Sequence, residues 1–285
     1  LTLPVAGHLR AARRFATFLG VSVAFAALFA LTLPLPRRAQ LRVQRLWCGG
    51  VAWAAALDVV TEGERVTGPG SVLYLANHVS YFDIPAFGSR VDAAFVAKSE
   101  VASWPLFGWF ARLTGTVFIP RRPGRSAEQV RVLRARLARG ENLILFPEGT
   151  NSDGTGVLPF KSALLASAAP EATGLPVTIQ PVSLAYTRTR DGRPLTGERA
   201  DLYAWIGADD MFPHLWRALA APGAKVRIVF HEPLDMAASA DRKRLARAAE
   251  DAVRAGVARL WAQTDAGETD AAETGVGRSP ALEPG

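Results

Sequence analysis

The sequence predicts an α/β domain, a mixed sheet flanked by helices, carried on an N-terminal membrane-embedded helical segment. Three observations lead there. From about Asp58 onward, short apolar runs of strand length alternate with helical stretches and Gly/Pro turns. Before that point lies the uncharged stretch Phe15–Pro36, bounded by Arg10, Arg13 and Arg14 and by Arg37, Arg38, Arg42 and Arg45. Third, the apolar run Val72–Ala76 ends in the polar turn Asn77-His78, and Ser80, three residues before Asp83, signals a helix start.

Phe15–Pro36 is of membrane length. A cleaved signal peptide has a shorter apolar core and a small-residue exit site, whereas this run continues to a Pro-Arg-Arg stop. Positive charge on both sides leaves two topologies open, one spanning and one re-entrant. The next stretch, Val43–Leu57, has a helical pattern with Trp47 and Trp53 and is too short to span. It suits either the headgroup region of a bilayer or the core of the following domain. Residues 1–57 are therefore expected to form an anchoring module.

In the domain at 58–262, strands are expected at Val72–Ala76, Ala93–Ala97, Thr116–Ile119, Asn142–Phe146, Val177–Ala185, Leu202–Ile206 and Lys225–Phe230. Helices are expected at Tyr81–Phe87, Ser126–Arg139 and Ala240–Ala262, the last two with Arg on one face and Leu, Val and Ala on the other. Residues 263–285, acidic and small without periodicity, read as a disordered tail.

The polar ends of these strands carry the candidate chemistry, because strand ends and turns present side chains that the buried strands cannot. Asn77 and His78 are expected to face a cleft. An imidazole can take a proton from a hydroxyl, and a carboxylate one turn into the next helix can orient the ring and stabilise its charged form. His78 and Asp83 have that spacing, although a capping box between Ser80 and Asp83 explains it equally well. Thr116–Ile119 ends in Pro120-Arg121-Arg122, two guanidinium groups suited to a phosphate or carboxylate, or else solvated loop charges. Leu143–Phe146 ends in Pro147-Glu148-Gly149-Thr150, a second polar turn.

Composition narrows the classes. The single Cys48 rules out an internal disulfide framework, and no Cys/His cluster spells a zinc site. His214, His231, Asp209 and Asp210 have no metal-ligand spacing and are read as structural. A net charge of +7 and a pI near 10.1 imply an anionic partner. The arginines are spread over membrane flanks and helix faces rather than interleaved with stacking aromatics, which argues against nucleic acid. No G-x-S-x-G elbow occurs, which argues against a serine hydrolase.

Four ordered blocks, Asn77-His78 with Asp83, Gly115 to Arg121, Phe146 to Thr150 and Pro181-Val182-Ser183, make the chain resemble the lysophosphatidic acid acyltransferase (glycerolipid acyltransferase) family between about Val72 and Leu184. That resemblance implies transfer of a fatty acyl group from coenzyme A or acyl carrier protein, a thioester co-substrate with no further cofactor and no metal, to a lysolipid hydroxyl. His78 matches the family's base and Asp83 its orienting partner. Arg121 matches the acceptor-binding arginine, and Glu148, Gly149 and Thr150 a block that helps hold the acceptor's head. Lys98 matches a frequent family lysine.

Two departures bear on the acceptor. Pro120 stands where the family often has an acid, and Asn151 where members that form phosphatidic acid usually carry a basic residue. The run Thr150–Gly154 with Leu158-Pro159-Phe160-Lys161 looks more like the branch that acylates lyso-ornithine lipid. The expected acceptor is 1-acylglycerol-3-phosphate, with lyso-ornithine lipid as the alternative and lipid binding without turnover as a reading of another class. A basic, membrane-anchored domain on the cytoplasmic face, in a bacterial inner membrane, suits both a phospholipid surface and an acidic carrier protein. Trp104, Leu106, Phe107 and Trp109 are read as either core or the wall of an acyl groove.

Overall fold

The computed structural model describes residues 3–104, 106–119, 126–168, 176–206, 210–235 and 241–266. Strands β1 (Leu57–Glu62), β2 (Ser71–Ala76), β3 (Ala94–Lys98), β4 (Val117–Ile119), β5 (Leu143–Leu145), β6 (Val177–Thr189) and β7 (Ala224–Phe230) form one sheet in the order β1-β7-β6-β2-β5-β3-β4, and the short β8 (Leu234–Asp235) pairs with β6. The pairs β6–β7 and β6–β8 are antiparallel, whereas β2, β3, β4, β5 and the first half of β6 run parallel. The sheet is mixed, as expected.

Alternation along β2 divides the core. Tyr74 points into one layer with Phe87 and Phe230, while Leu73 and Leu75 point into the other with Leu133, Leu143 and Ile179. Both faces of β2 are buried, so the strand reads as a continuous apolar run. The first layer is covered by α1 (Val5–Thr32), α2 (Arg37–Ala54), α3 (Asp83–Gly88) and α6 (Met211–Ala220). The second is covered by α5 (Ser126–Leu137), α7 (Arg242–Asp265) and a 3-10 segment at Ser162–Ala168. Between β3 and β4 lies α4 (Phe107–Leu113).

Among the described residues one helix, α1, is long and apolar enough to cross a membrane. It begins at Val5, so Arg10, Arg13 and Arg14 are inside the helix rather than ahead of it. Arg14 is buried and donates to the carbonyls of Leu219, Ala221 and Pro222 at 2.9, 2.6 and 3.0 Å, and Arg10 reaches Ala220 O at 3.1 Å. These guanidiniums cap the C-terminal end of α6, where orphan carbonyls and the helix dipole favour a cation. Arg37 likewise donates to Thr114 O at 2.6 Å, and Arg45 pairs with Asp92 at 3.1 Å. Four arginines flanking the apolar stretch therefore bind the helices to the domain. The outward side of this helical hairpin remains apolar, with Val23, Leu31, Leu46 and Trp53 exposed.

Two expectations are corrected. Residues Leu202–Ile206 do not form a strand: a 3-10 turn at Gly197–Leu202 leads into a segment that crosses the His78 turn, with Trp205 N–H bonded to Val79 O at 3.0 Å. Its aromatic pattern serves stacking, Tyr203 lying parallel to Tyr186 with centroids 5.7 Å apart. The helix expected through Leu57 ends at Ala54, and β1 follows after a turn at Ala56, whose φ is +56°. The helices α4 and α6 fill stretches between the expected strands.

Candidate active site

In the sheet order, β5 lies between β2 and β3, which are consecutive in sequence, so the chain reverses direction of travel across the sheet at this point. Open parallel sheets gather ligands at the carboxyl ends of strands beside such a switch. His78 follows β2, Glu148 to Thr150 follow β5, and Lys98 ends β3, so all lie along one edge. Arg121 falls two positions after β4, outside the described residues.

The geometry begins at Asn77. Its side chain accepts from Leu184 N–H at 2.8 Å and donates to Leu184 O at 2.9 Å, extending the β2–β6 pairing by one rung. It is fully buried, so Asn77 does not face the cleft as expected. Its amide replaces a backbone rung and frees the main chain to turn, which turns His78 outward with its side chain 19% exposed.

His78 Nδ1 lies 2.7 Å from Asp83 Oδ2. The same oxygen accepts from the N–H groups of Val79 at 2.8 Å and Ser80 at 3.0 Å, and Asp83 Oδ1 accepts from the Tyr186 hydroxyl at 2.8 Å. A carboxylate receiving these bonds is an acceptor, so Nδ1 carries the proton and Nε2 has a free lone pair. The capping and orienting readings of Asp83 are thus met by one side chain. Burial first, and then the Asp83 charge, push the Tyr186 hydroxyl well above the ordinary phenol range and keep it a donor. Tyr186 is a member of the site that the sequence did not reveal.

Beneath the turn, Glu148 is buried, its Oε1 accepting from His78 N–H at 2.8 Å and its Oε2 from Leu158 N–H at 3.1 Å. Burial pushes its carboxyl up to about 7, against the pull of the two N–H bonds, and the Asp83 charge adds to the rise. Both oxygens are engaged, so Glu148 holds the His78 main chain rather than reaching outward. Gly149 has φ +78°, and a Cβ there would lie 2.7 Å from Lys161 Nζ. Thr150 is exposed, and Ser152 N–H donates to His78 O at 2.8 Å. Phe146 stacks on the His78 ring with centroids 4.1 Å apart and planes 13° apart.

An apolar cavity of about 160 Å³ lies beside this turn, lined by Phe15 and Phe18 of α1, Trp47 of α2, Tyr81, Phe95 and Phe110. Trp104 and Phe107 line it as well; Leu106 and Trp109 do not and are partly exposed. His214 accepts from the Tyr81 hydroxyl at 2.7 Å and packs at Asp201 O, and His231 bonds Ser183 Oγ at 2.7 Å, while Asp209 lies outside the described residues. Ser183 Oγ itself donates to Val253 O at 2.8 Å, so that pair is not an activated nucleophile. Among the described residues no three His, Cys, Asp or Glu side chains cluster as a metal site.

Comparison with known proteins shows what the chain as a whole is similar to. Residues 58–185 match the family model for Acyltransferase. A lyso-ornithine lipid O-acyltransferase of Brucella abortus is 42% identical over 188 residues, spanning 65% of this chain and 70% of that protein. A 1-acyl-sn-glycerol-3-phosphate acyltransferase of Neisseria meningitidis is 37% identical over 210 residues, 72% and 77% of the two chains. The crystal structure of the 1-acyl-sn-glycerophosphate acyltransferase PlsC from Thermotoga maritima superposes with a TM-score of 0.64 at 24% identity, covering 89% of this chain and 97% of that one, which shows a shared fold.

Proposed function

The chain belongs to the Acyltransferase family, and we propose that it transfers a fatty acyl group from a coenzyme A or acyl carrier protein thioester to the free hydroxyl of a membrane lysolipid. The observation that carries this reading is the 2.7 Å contact of His78 Nδ1 with Asp83, which leaves Nε2 as a base. Nε2 takes the hydroxyl proton as the oxygen attacks the thioester carbonyl. The C–O bond forms, the C–S bond breaks, and the departing thiolate recovers the proton from the imidazolium. Asp83, held by Val79, Ser80 and Tyr186, balances the transient positive charge. Neither a covalent acyl-enzyme nor a cofactor is required.

The apolar cavity is suited to the acyl chain, and the exposed apolar side of α1 and α2 to the bilayer, with the site on the cytoplasmic face. Lys98, Arg121 and Thr150 are assigned to the acceptor's head, with Glu148 and Gly149 shaping the loop.

The acceptor expected from the family resemblance at large is 1-acylglycerol-3-phosphate, giving phosphatidic acid, and the Neisseria relative's name supports it. A specific observation favours a second acceptor, lyso-ornithine lipid: the uncharged Asn151 beside Thr150, in a chain 42% identical to the Brucella enzyme of that name. The test is acyl transfer by the detergent-solubilised chain from a labelled thioester to the two acceptors side by side, with His78→Ala as control. Turnover of at least one acceptor, lost in the variant by about 10²- to 10⁴-fold, is expected. Equal turnover by the variant would remove His78 from its role, and turnover of neither acceptor would leave lipid binding without catalysis.

A further inference from the structure

The loop between β5 and the 3-10 segment Ser162–Ala168 carries two polar groups that no atom of the described residues satisfies. Asn151 Nδ2 is a buried donor with no hydrogen-bond partner among the described residues. Lys161 is exposed, and its Nζ lies against the open side of Gly149 with no carboxylate bonded to it among the described residues. The adjacent acid, Glu148, accepts the His78 and Leu158 N–H groups, and among the described residues it makes no hydrogen bond to Lys161. Burying a donor unpaired costs stability, and a ligand that supplies the acceptor recovers it.

The loop is rigid on the His78 side. Ser152, next to Asn151, binds His78 O; Lys161 N–H donates to Pro147 O at 3.0 Å; Phe160 N–H donates to Glu250 at 2.8 Å; and Trp261 Nε1 donates to Gly154 O at 2.8 Å. Gly149 serves two ends, admitting a left-handed turn and leaving the space that the ammonium fills.

We propose that Asn151 Nδ2 and Lys161 Nζ together bind the carboxylate of an amino-acid headgroup on the acceptor lipid. One cation and one neutral donor match a singly charged group with two oxygens. A phosphate monoester carries more charge and favours guanidinium groups, which this loop lacks at position 151. The inference rests on the lysolipid acyltransferase reading and selects within it.

The test uses the full chain in detergent with one thioester donor and three acceptors: lyso-ornithine lipid, its carboxyl methyl ester, and 1-acylglycerol-3-phosphate. Esterification is expected to raise the acceptor KM of the unaltered chain by about 10- to 100-fold, the loss of a charge-assisted hydrogen bond. Lys161→Met should raise the KM for the free acid similarly, become indifferent to esterification, and leave kcat and the donor KM unchanged. Lys161→Arg should restore discrimination, and Asn151→Ala should lower it partway. If Lys161→Met still prefers the free acid as strongly as the unaltered chain, Lys161 does not meet the carboxylate and the proposal fails alone. Preference of the unaltered chain for 1-acylglycerol-3-phosphate, weakened by Lys161→Met, would overturn the carboxylate in favour of phosphate. Absence of turnover with every acceptor would overturn the acyltransferase reading and this proposal together.

Discussion

The rings of Phe146 and His78 stack nearly parallel, 4.1 Å between centroids. Phe146 directly follows β5 and His78 follows β2 by two positions, so neighbouring parallel strands deliver the two rings to one place. The stack fixes the imidazole plane while Asp83 fixes its tautomer. It also offers a π face to the imidazolium that proton transfer creates, a favourable contact for a cation.

Tyr186 reaches Asp83 from β6 and should matter more to turnover than to binding. Tyr186→Phe keeps the stack on Tyr203 and removes only the hydroxyl. A drop in kcat of about tenfold is expected, with acceptor and donor KM unchanged and stability lowered by about 1.5–3 kcal/mol, the usual range for a hydrogen bond to a charged group. Steady-state kinetics and urea unfolding of the two proteins check it.

Glu148 makes stability depend on pH. Its folded-state value of about 7 lies above the ordinary 4.5, so between these limits the folded chain holds a proton that the unfolded chain has released. Its contribution is therefore fullest below pH 4.5, falls as pH rises toward 7, and is flat above. The total is at most about 3 kcal/mol. Urea unfolding at pH 5, 6 and 7.5 should show this slope flattened in Glu148→Gln, which also loses one acceptor for the His78 and Leu158 N–H groups.

Arg14 ties α1 to the end of α6. Arg14→Met leaves the carbonyls of Leu219, Ala221 and Pro222 without their donor. A loss of about 3 kcal/mol is expected, with faster proteolysis within α1. Arg13, whose side chain makes no such contact, serves as the comparison, and equal behaviour of the two variants would show that the capping contacts contribute little.

The cavity wall should set the preferred acyl length. Ala111 lies on α4 and lines the cavity. Ala111→Trp fills part of it, and kcat/KM for long thioesters should fall about tenfold or more relative to short ones, since each excluded methylene is worth about 1–3 kcal/mol. An unchanged ratio across a donor series would place the acyl chain elsewhere.

The sequence by itself determined the strands nearest the chemistry, the His78–Asp83 spacing, the polar ends of β2 and β5 and the long apolar helix. These are local: a buried strand is an apolar run, and a five-residue spacing across a turn brings an imidazole to a carboxylate. The tertiary structure decided what depends on distant partners. Tyr186 lies 103 positions from Asp83 and Glu148 70 from His78, separations that no local pattern encodes. Asn77 resembled a cleft residue until β6 supplied its rung at Leu184. Arg10 and Arg14 had the pattern of membrane flanks, but the carbonyl end of α6, more than 200 residues away, receives them. The apolar run Leu202–Ile206 suggested a strand, yet Tyr203 stacks on Tyr186 and meets Phe82 edge-on, and Trp205 meets Tyr81 and Trp104 edge-on. A side chain's polarity shows that it needs a partner; only the fold decides which partner it meets.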